Sequence, residues 1–276
     1  MEPGHFYSPI VNPKDPHVTA VLQHFEELEL PLVSGITLKQ DEMMEFFVQL
    51  AARYSELPFV PTQRPGLYYY YENPLFGYGD AIMLGLIMLE FRPKRIVEIG
   101  SGFSSCAMID MNEQVFGGNI DLTFVEPYPD RLLALLAQSS RHLTALRKQP
   151  VQSVSLDVFE GLQANDILFV DSSHVSKMAS DVNHLVFNVF PLLRPGVLIH
   201  VHDIPYPFEY PPAWIFAENR SWNEAYLIRA FLQFNNCFEM MFYNHFAHRK
   251  FPDIIAKKAP LFSRNCGASL WIRRLK

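Results

Sequence analysis

Cysteine is scarce in this sequence: Cys106, Cys237 and Cys266 are the only three in 276 residues. They are too few and too scattered for a disulfide framework or a cysteine zinc site, which sets the expectation of a reducing compartment. Positive charge is also in short supply. Twenty-three Lys and Arg against 29 Asp and Glu give a formal net charge of −6. That balance offers no general attraction to nucleic acid, and no basic run is longer than a few residues. Missing too is a long apolar stretch: "AIMLGLIMLEF" is roughly half of the about 20 residues that span a bilayer. The opening "MEPGHFYSPIVNPKDP" has neither the basic nor the apolar region of a secretory signal. No internal repeat or low-complexity tract is present. The expectation is a cytoplasmic protein with no nucleic-acid or membrane partner; assembly as a homo-oligomer is left open.

What the chain does have is apolar material, 49% of its residues, enough for a sizeable core. One large α/β domain with an appendage fits the length. Residues 1–75 read as a helical cap followed by an aromatic connection; in the cap Met43, Phe46, Phe47 and Leu50 recur at helical spacing. Residues 76–276 form the main domain, with an aromatic, proline-stiffened lid inserted at about 205–222. From Asp80 onward helices alternate with strands. "RIVEIG", "IDLTFVEPY", "LTALRKQPV", "DILFVDSS" and "VLIHVHDI" read as strands one to five, and "FEMMFYNHF" and "GASLWIRRL" as two more. Strands separated by helices imply parallel pairing.

The stretch "RIVEIGSGFSS" carries the first chemical signal. Ile96, Val97 and Ile99 make a strand buried on both faces, interrupted by Glu98, a carboxylate that is costly there unless something pairs with it. Gly100 and Gly102 permit a tight turn and close approach to a ligand, and Ser104 or Ser105 is placed to cap a helix starting at Cys106. Strand, glycine turn and helix N-terminus together suggest a nucleotide site. Glu126 closes strand two, where an acid accepts hydrogen bonds from ribose hydroxyls. The loop lacks the third glycine of G-x-G-x-x-G, and an acid two residues ahead of it suits a ligand with an ammonium group better than a pyrophosphate.

These segments have a family likeness. "VEIGSGFSS" followed by "FVEPYP" resembles the glycine loop and ribose-binding acid of class I S-adenosylmethionine-dependent methyltransferases. "DILFVDSSHVSKMASDVNHLVFNVFPLLRPGVLIHVHDI" is similar to the Asp-x-Ser-His segment and late acidic strand end of the metal-dependent macrolide sugar O-methyltransferases, the mycinamicin and macrocin type. The likeness spans roughly residues 77 to 206. It implies a Rossmann-like α/β fold, a mostly parallel seven-stranded sheet with helices on both faces and a helical N-terminal cap. It implies S-adenosylmethionine as cofactor, with Glu98, Gly100, Ser101, Gly102, Ser104, Ser105, Glu126, Asp171 and Tyr78 around it. It also implies His174 as general base beside Asp171, and a divalent metal, magnesium or a transition metal, on Asp171, His202 and Asp203. The sequence has His202-Asp203 where the family commonly has Glu-Asp, and a histidine suits a transition metal, or no metal, better than magnesium.

Methyl transfer to a hydroxyl needs in-line placement, loss of the hydroxyl proton and exclusion of water; a histidine meets the second need near neutral pH. The expected acceptor is a small molecule or glycan, contacted by Tyr71, Asp80, Trp214, Trp222 and Arg229, with Asn223 and Glu224 nearby. Two other readings stay open. One is an iron-dependent oxygenase built on Asp203 with His174, His200 or His202; the other is a catalytically silent S-adenosylmethionine-binding module. Plain structural roles compete as well: Asp171, Ser172 or Asp181 as helix caps, His174 as a loop histidine, His200 in the core and Asp203 in a turn.

Overall fold

The computed structural model describes residues 2, 4–27, 30, 33–136 and 146–276. Seven strands, β1 (Arg95–Ile99), β2 (Asp121–Val125), β3 (Leu146–Arg147), β4 (Ile167–Val170), β5 (Leu198–Val201), β6 (Phe238–Tyr243) and β7 (Leu270–Arg274), form one sheet in the order β3-β2-β1-β4-β5-β7-β6. The first five are parallel, and β7 runs antiparallel between β5 and β6. This is the mostly parallel α/β sheet that the alternation of strands and helices implied, in the seven-stranded Rossmann-like form that the family likeness implied. Strands β4 and β5 are buried at every position, as befits parallel strands covered on both faces.

The helices in chain order are α1 (Pro16–Glu27), α2 (Gln40–Ala51), α3 (Tyr78–Phe91), α4 (Phe103–Gln114), α5 (Asp130–Leu135), α6 (Asp157–Glu160), α7 (Asp181–His184), α8 (Pro212–Phe216), α9 (Glu224–Leu232), α10 (Asn244–Lys250) and α11 (Pro252–Lys258). Helix α3 is apolar all round, so it has no solvent face and is buried from Tyr78 to Leu89. Helix α2 turns Met43, Met44, Phe47 and Leu50 into the same core, with Phe47 stacked on Phe242 of β6 at 5.4 Å. No helix among the described residues is long and apolar enough to cross a membrane.

Three local expectations are revised. Helix α4 begins at Phe103, ahead of both serines, so neither is the N-cap residue; Ser105 serves the helix start from inside the first turn, accepting the N–H of the N-cap residue Gly102. The continuous helix expected across residues 177–196 is a short α turn at Asp181–His184, a π turn at Leu185–Val189 and a 3-10 turn at Phe190–Leu192. The later part of the helix expected in "PDRLLALLAQSSR" and the start of "LTALRKQPV" lie outside the described residues.

Strand register fixes where the site forms. Ile99 pairs with Val125 on one side and Val170 on the other, and Val170 pairs with Val201. The next residues, Gly100, Glu126, Asp171 and His202, therefore leave the sheet side by side along its carboxyl edge. The chain order reverses between β1 and β4, the place where open α/β sheets bind ligands.

Candidate active site

A cleft of about 850 Å³ opens at that edge, within the range of small-molecule sites. Gly100, Ser101, Glu126 and Arg131 line it together with Asp171 and His174 and with His202, Asp203, His245 and Gly267. Gly100 has φ +90° and a Cβ there would stand 2.3 Å from the carbonyl oxygen of Asp171, so no other residue fits. The Ser101 hydroxyl is buried without a hydrogen-bond partner. Glu126 accepts the Tyr128 N–H through Oε1 at 2.8 Å while its carboxylate faces the cleft. A glycine that lets backbone approach, an orphaned hydroxyl and a strand-end carboxylate are a donor and acceptor set that fits S-adenosylmethionine.

Glu98 does not line the cleft. It is fully buried, and the hydroxyls of Ser104 and Ser105 donate to its two oxygens at 2.5 Å each. Ser105 Oγ also accepts the Gly102 N–H at 3.0 Å. Burial pushes the Glu98 carboxyl up to about 8 against the lowering effect of the serines. Glu98, Ser104 and Ser105 thus form an internal lock that shapes the loop from behind, and neither they nor Gly102 line the cleft. Tyr78 and Tyr71 also turn inward. Their rings stack at 4.7 Å, and the Tyr78 hydroxyl meets Glu72 at 3.2 Å and Arg264 at 3.1 Å. Neither lines the cleft, and nor does Arg229.

His174 is the hub of the site. Its Nδ1 lies 2.8 Å from Glu224 Oε2, and its Nε2 lies 3.3 Å from Asp171 Oδ1 and 3.7 Å from Asp203 Oδ2. The residue sits at φ +60°, and its carbonyl accepts the Asn223 and Glu224 N–H groups at 3.0 and 3.1 Å, which hold that strained backbone in place. Glu224 is itself fixed by the Ser172 hydroxyl at 2.9 Å. Burial alone would lower the ring's affinity for a proton, but the bonds to Asp171 and Glu224 outweigh it and push His174 up to about 10. Burial likewise opposes the charge on Asp171, yet His202 and His174 beside it hold its carboxyl below the ordinary range.

Tryptophans form the outer wall. Trp222 lies against the His174 ring at 4.2 Å, and the Arg220 guanidinium packs over Trp222 at 4.4 Å and over Trp214 at 4.7 Å. Asp80 forms the floor, accepting from the Ser269 backbone N–H at 3.1 Å, the Ser269 hydroxyl and the Asn244 amide; burial raises its carboxyl above the ordinary range. A Cβ at Gly267, where φ is +67°, would collide with that carboxylate at 2.0 Å. Opposite His174, His245 accepts the Tyr206 N–H at Nδ1, 3.1 Å, and burial pushes it down to about 4. Its ring is therefore neutral with the hydrogen on Nε2.

The metal set implied for Asp171, His202 and Asp203 is not assembled. His174 Nε2 stands where a cation would bridge the two carboxylates. His202 Nε2 is 3.9 Å from Asp203 Oδ1 and its Nδ1 has no partner. Among the described residues no group of three or more His, Cys, Asp and Glu side chains is arranged to hold an ion. The iron site of the oxygenase reading fails on the same ground, and His200 is stacked on Phe169 at 3.8 Å inside the core, where burial keeps it neutral. Arg131, Arg220 and His245 went unremarked in the sequence. Arg131 had one available signal, its place in the first turn after the strand two acid.

The family described as "Methyltransferase domain" matches residues 97–204. An uncharacterised protein of Archaeoglobus fulgidus is 35% identical over 173 residues, covering 60% of this chain and 75% of that protein. Among solved structures, the Podospora anserina methyltransferase PaMTH1 bound to S-adenosylhomocysteine is 14% identical, covers 96% of this chain and 98% of its own, and has a TM-score of 0.43. The O-methyltransferase TomG of Streptomyces achromogenes, involved in tomaymycin synthesis and solved with S-adenosylmethionine, is 14% identical, covers 93% and 96%, and has a TM-score of 0.45.

Proposed function

We propose that this chain is a class I S-adenosylmethionine-dependent methyltransferase, a reading that the methyltransferase-domain match over residues 97–204 supports, and that it methylates a hydroxyl oxygen on a small molecule or glycan. The observation that carries the reading is the register that brings Gly100, Glu126 and Asp171 to one cleft with His174. S-adenosylmethionine, when bound, supplies an electrophilic methyl group on a positively charged sulfur. Gly100 lets the backbone approach it, Ser101 offers its unpaired hydroxyl, and Glu126 accepts from the ribose hydroxyls. The acceptor lies between the tryptophan wall and the carboxylates, which suits a ligand with an apolar face and polar edges.

His174 is the proton acceptor in this reading. Glu224 on Nδ1 sets the ring's orientation and leaves Nε2 toward the cleft. In the free chain its carboxylate neighbours keep the ring protonated; positive charge brought beside it favours the neutral, basic form. Trp222 over the ring limits water. Calorimetric titration with S-adenosylhomocysteine, followed by labelled methyl transfer to a panel of phenols, sugars and glycosides, tests the reading. Micromolar binding and transfer to oxygen are expected, and a chain that does not bind S-adenosylhomocysteine would falsify it.

A further inference from the structure

Asp171 and Asp203 face one cleft, and carboxylates so placed repel each other unless a cation or a donor lies between them. The sequence likeness implied a divalent ion for that place. The ring of His174 fills it. Nε2 approaches Asp171 Oδ1 at 3.3 Å and Asp203 Oδ2 at 3.7 Å, and Nδ1 approaches Glu224 Oε2 at 2.8 Å. Each ring nitrogen thus faces a carboxylate.

The ring is built in from every side. Glu224, 2% exposed, is anchored by the Ser172 hydroxyl through its other oxygen, so it cannot turn away. The His174 backbone is pinned by the two N–H groups at the start of α9, and Trp222 closes the open face. Asp203, like His174, is held at positive φ, +54°. An ion needs its oxygens at about 2.0–2.6 Å, a reach that the intervening ring blocks.

We infer that the His174 ring takes the place of a divalent ion as the link between Asp171 and Asp203, so that this chain forms its cofactor and acceptor sites without a metal. The inference rests on the methyltransferase reading for what the cleft holds, while the link itself belongs to the free chain. The base role proposed for His174 uses the same ring.

The test uses full-length protein stripped with chelator. Titration with Mn²⁺, followed by the spin resonance of the free ion, is expected to show no one-to-one site in the natural chain. S-adenosylhomocysteine affinity is expected to agree within about twofold in excess chelator and in excess Mg²⁺. His174→Ala removes the ring and leaves Asp171, Asp203 and Glu224 around the space; it is expected to bind Mn²⁺ at least about tenfold more tightly than the natural chain. One Mn²⁺ bound per natural chain, or a tenfold gain in S-adenosylhomocysteine affinity with metal, overturns the inference. If S-adenosylhomocysteine fails to bind in every condition, the methyltransferase reading has failed, and the Mn²⁺ titration of the natural chain still decides the link.

Discussion

Glu224 Oε2 lies 2.8 Å from Nδ1 of His174, fifty positions earlier in the chain, and the pair joins the start of α9 to the loop after β4. The carboxylate has no other charged partner in the cleft wall, and its second oxygen is taken by Ser172. Glu224→Gln keeps the shape and removes the charge. The inflection of the His174 ring, followed by nuclear magnetic resonance in the free protein, is expected to fall from about 10 by at least about one pH unit, equivalent to about 1.4 kcal/mol. S-adenosylhomocysteine affinity is expected to stay within about threefold. An unmoved inflection would reduce Glu224 to a packing role.

The same ring links stability to pH. Its folded-state value, about 10, lies above the about 6.5 of an unfolded histidine. The contribution is therefore fully present below about pH 6.5 and is lost as pH rises toward 10. His174 is buried, so the term is on the order of a few kcal/mol. The urea midpoint of the natural chain is expected to exceed that of His174→Gln most at pH 6, with the gap shrinking steadily to pH 10. A gap that is constant across this range would contradict the doubly bonded ring.

Glu126 has one oxygen engaged by the Tyr128 N–H and faces the cleft from the end of β2. Losing a charge-assisted pair of hydrogen bonds costs about 1.5–3 kcal/mol, so Glu126→Ala is expected to weaken S-adenosylhomocysteine binding about 10- to 100-fold by calorimetry. Thermal stability should change little, because the side chain is half-exposed.

Gly100→Ala tests the turn. A methyl group there meets the Asp171 carbonyl oxygen at 2.3 Å with the backbone at φ +90°. Strain of about 1–3 kcal/mol lowers the melting temperature by several degrees, and displacement of Asp171 reaches His174. The variant is expected to lose more than about tenfold in S-adenosylhomocysteine affinity; natural affinity would show that the turn has room.

Asp110 is fully buried on α4 and accepts the N–H groups of Tyr68 and Tyr69 at 2.7–3.1 Å. It ties down the aromatic segment that leads to Asn73 and Leu75 at the cleft mouth. Asp110→Ala orphans both donors, and a loss of about 2–4 kcal/mol is expected by urea unfolding. A smaller loss would mean that the segment finds other acceptors.

The sheet was largely legible because each strand is a short β-branched or aromatic run set between glycine, proline and polar residues. Ile96, Val97 and Ile99, or Ile167 to Val170, have no competing helical period. The placement of Glu126 at the cleft was legible from its position at a strand end. The roles that sequence could not assign depend on separation along the chain. Glu224 meets His174 across fifty residues, with no periodicity to connect them. Glu98 looked like a ligand contact because its satisfaction by Ser104 and Ser105 depends on α4 starting early, at Phe103. Tyr71 and Tyr78 were ambiguous for another reason: an aromatic side chain serves a core and a binding wall equally well, and only packing decides between them.

Gly267 against Asp80 has a consequence for synthesis. The floor of the cleft is closed by Ser269 and Gly267, and β7, which begins at Leu270, is the strand that joins β6 to the rest of the sheet. Until the segment from Gly267 to Arg274 has been made, β5 ends the sheet as an open edge, β6 has no strand beside it, and Asp80 lacks its Ser269 donors. A chain that stops before Gly267 would have nearly all of its core and no finished cleft.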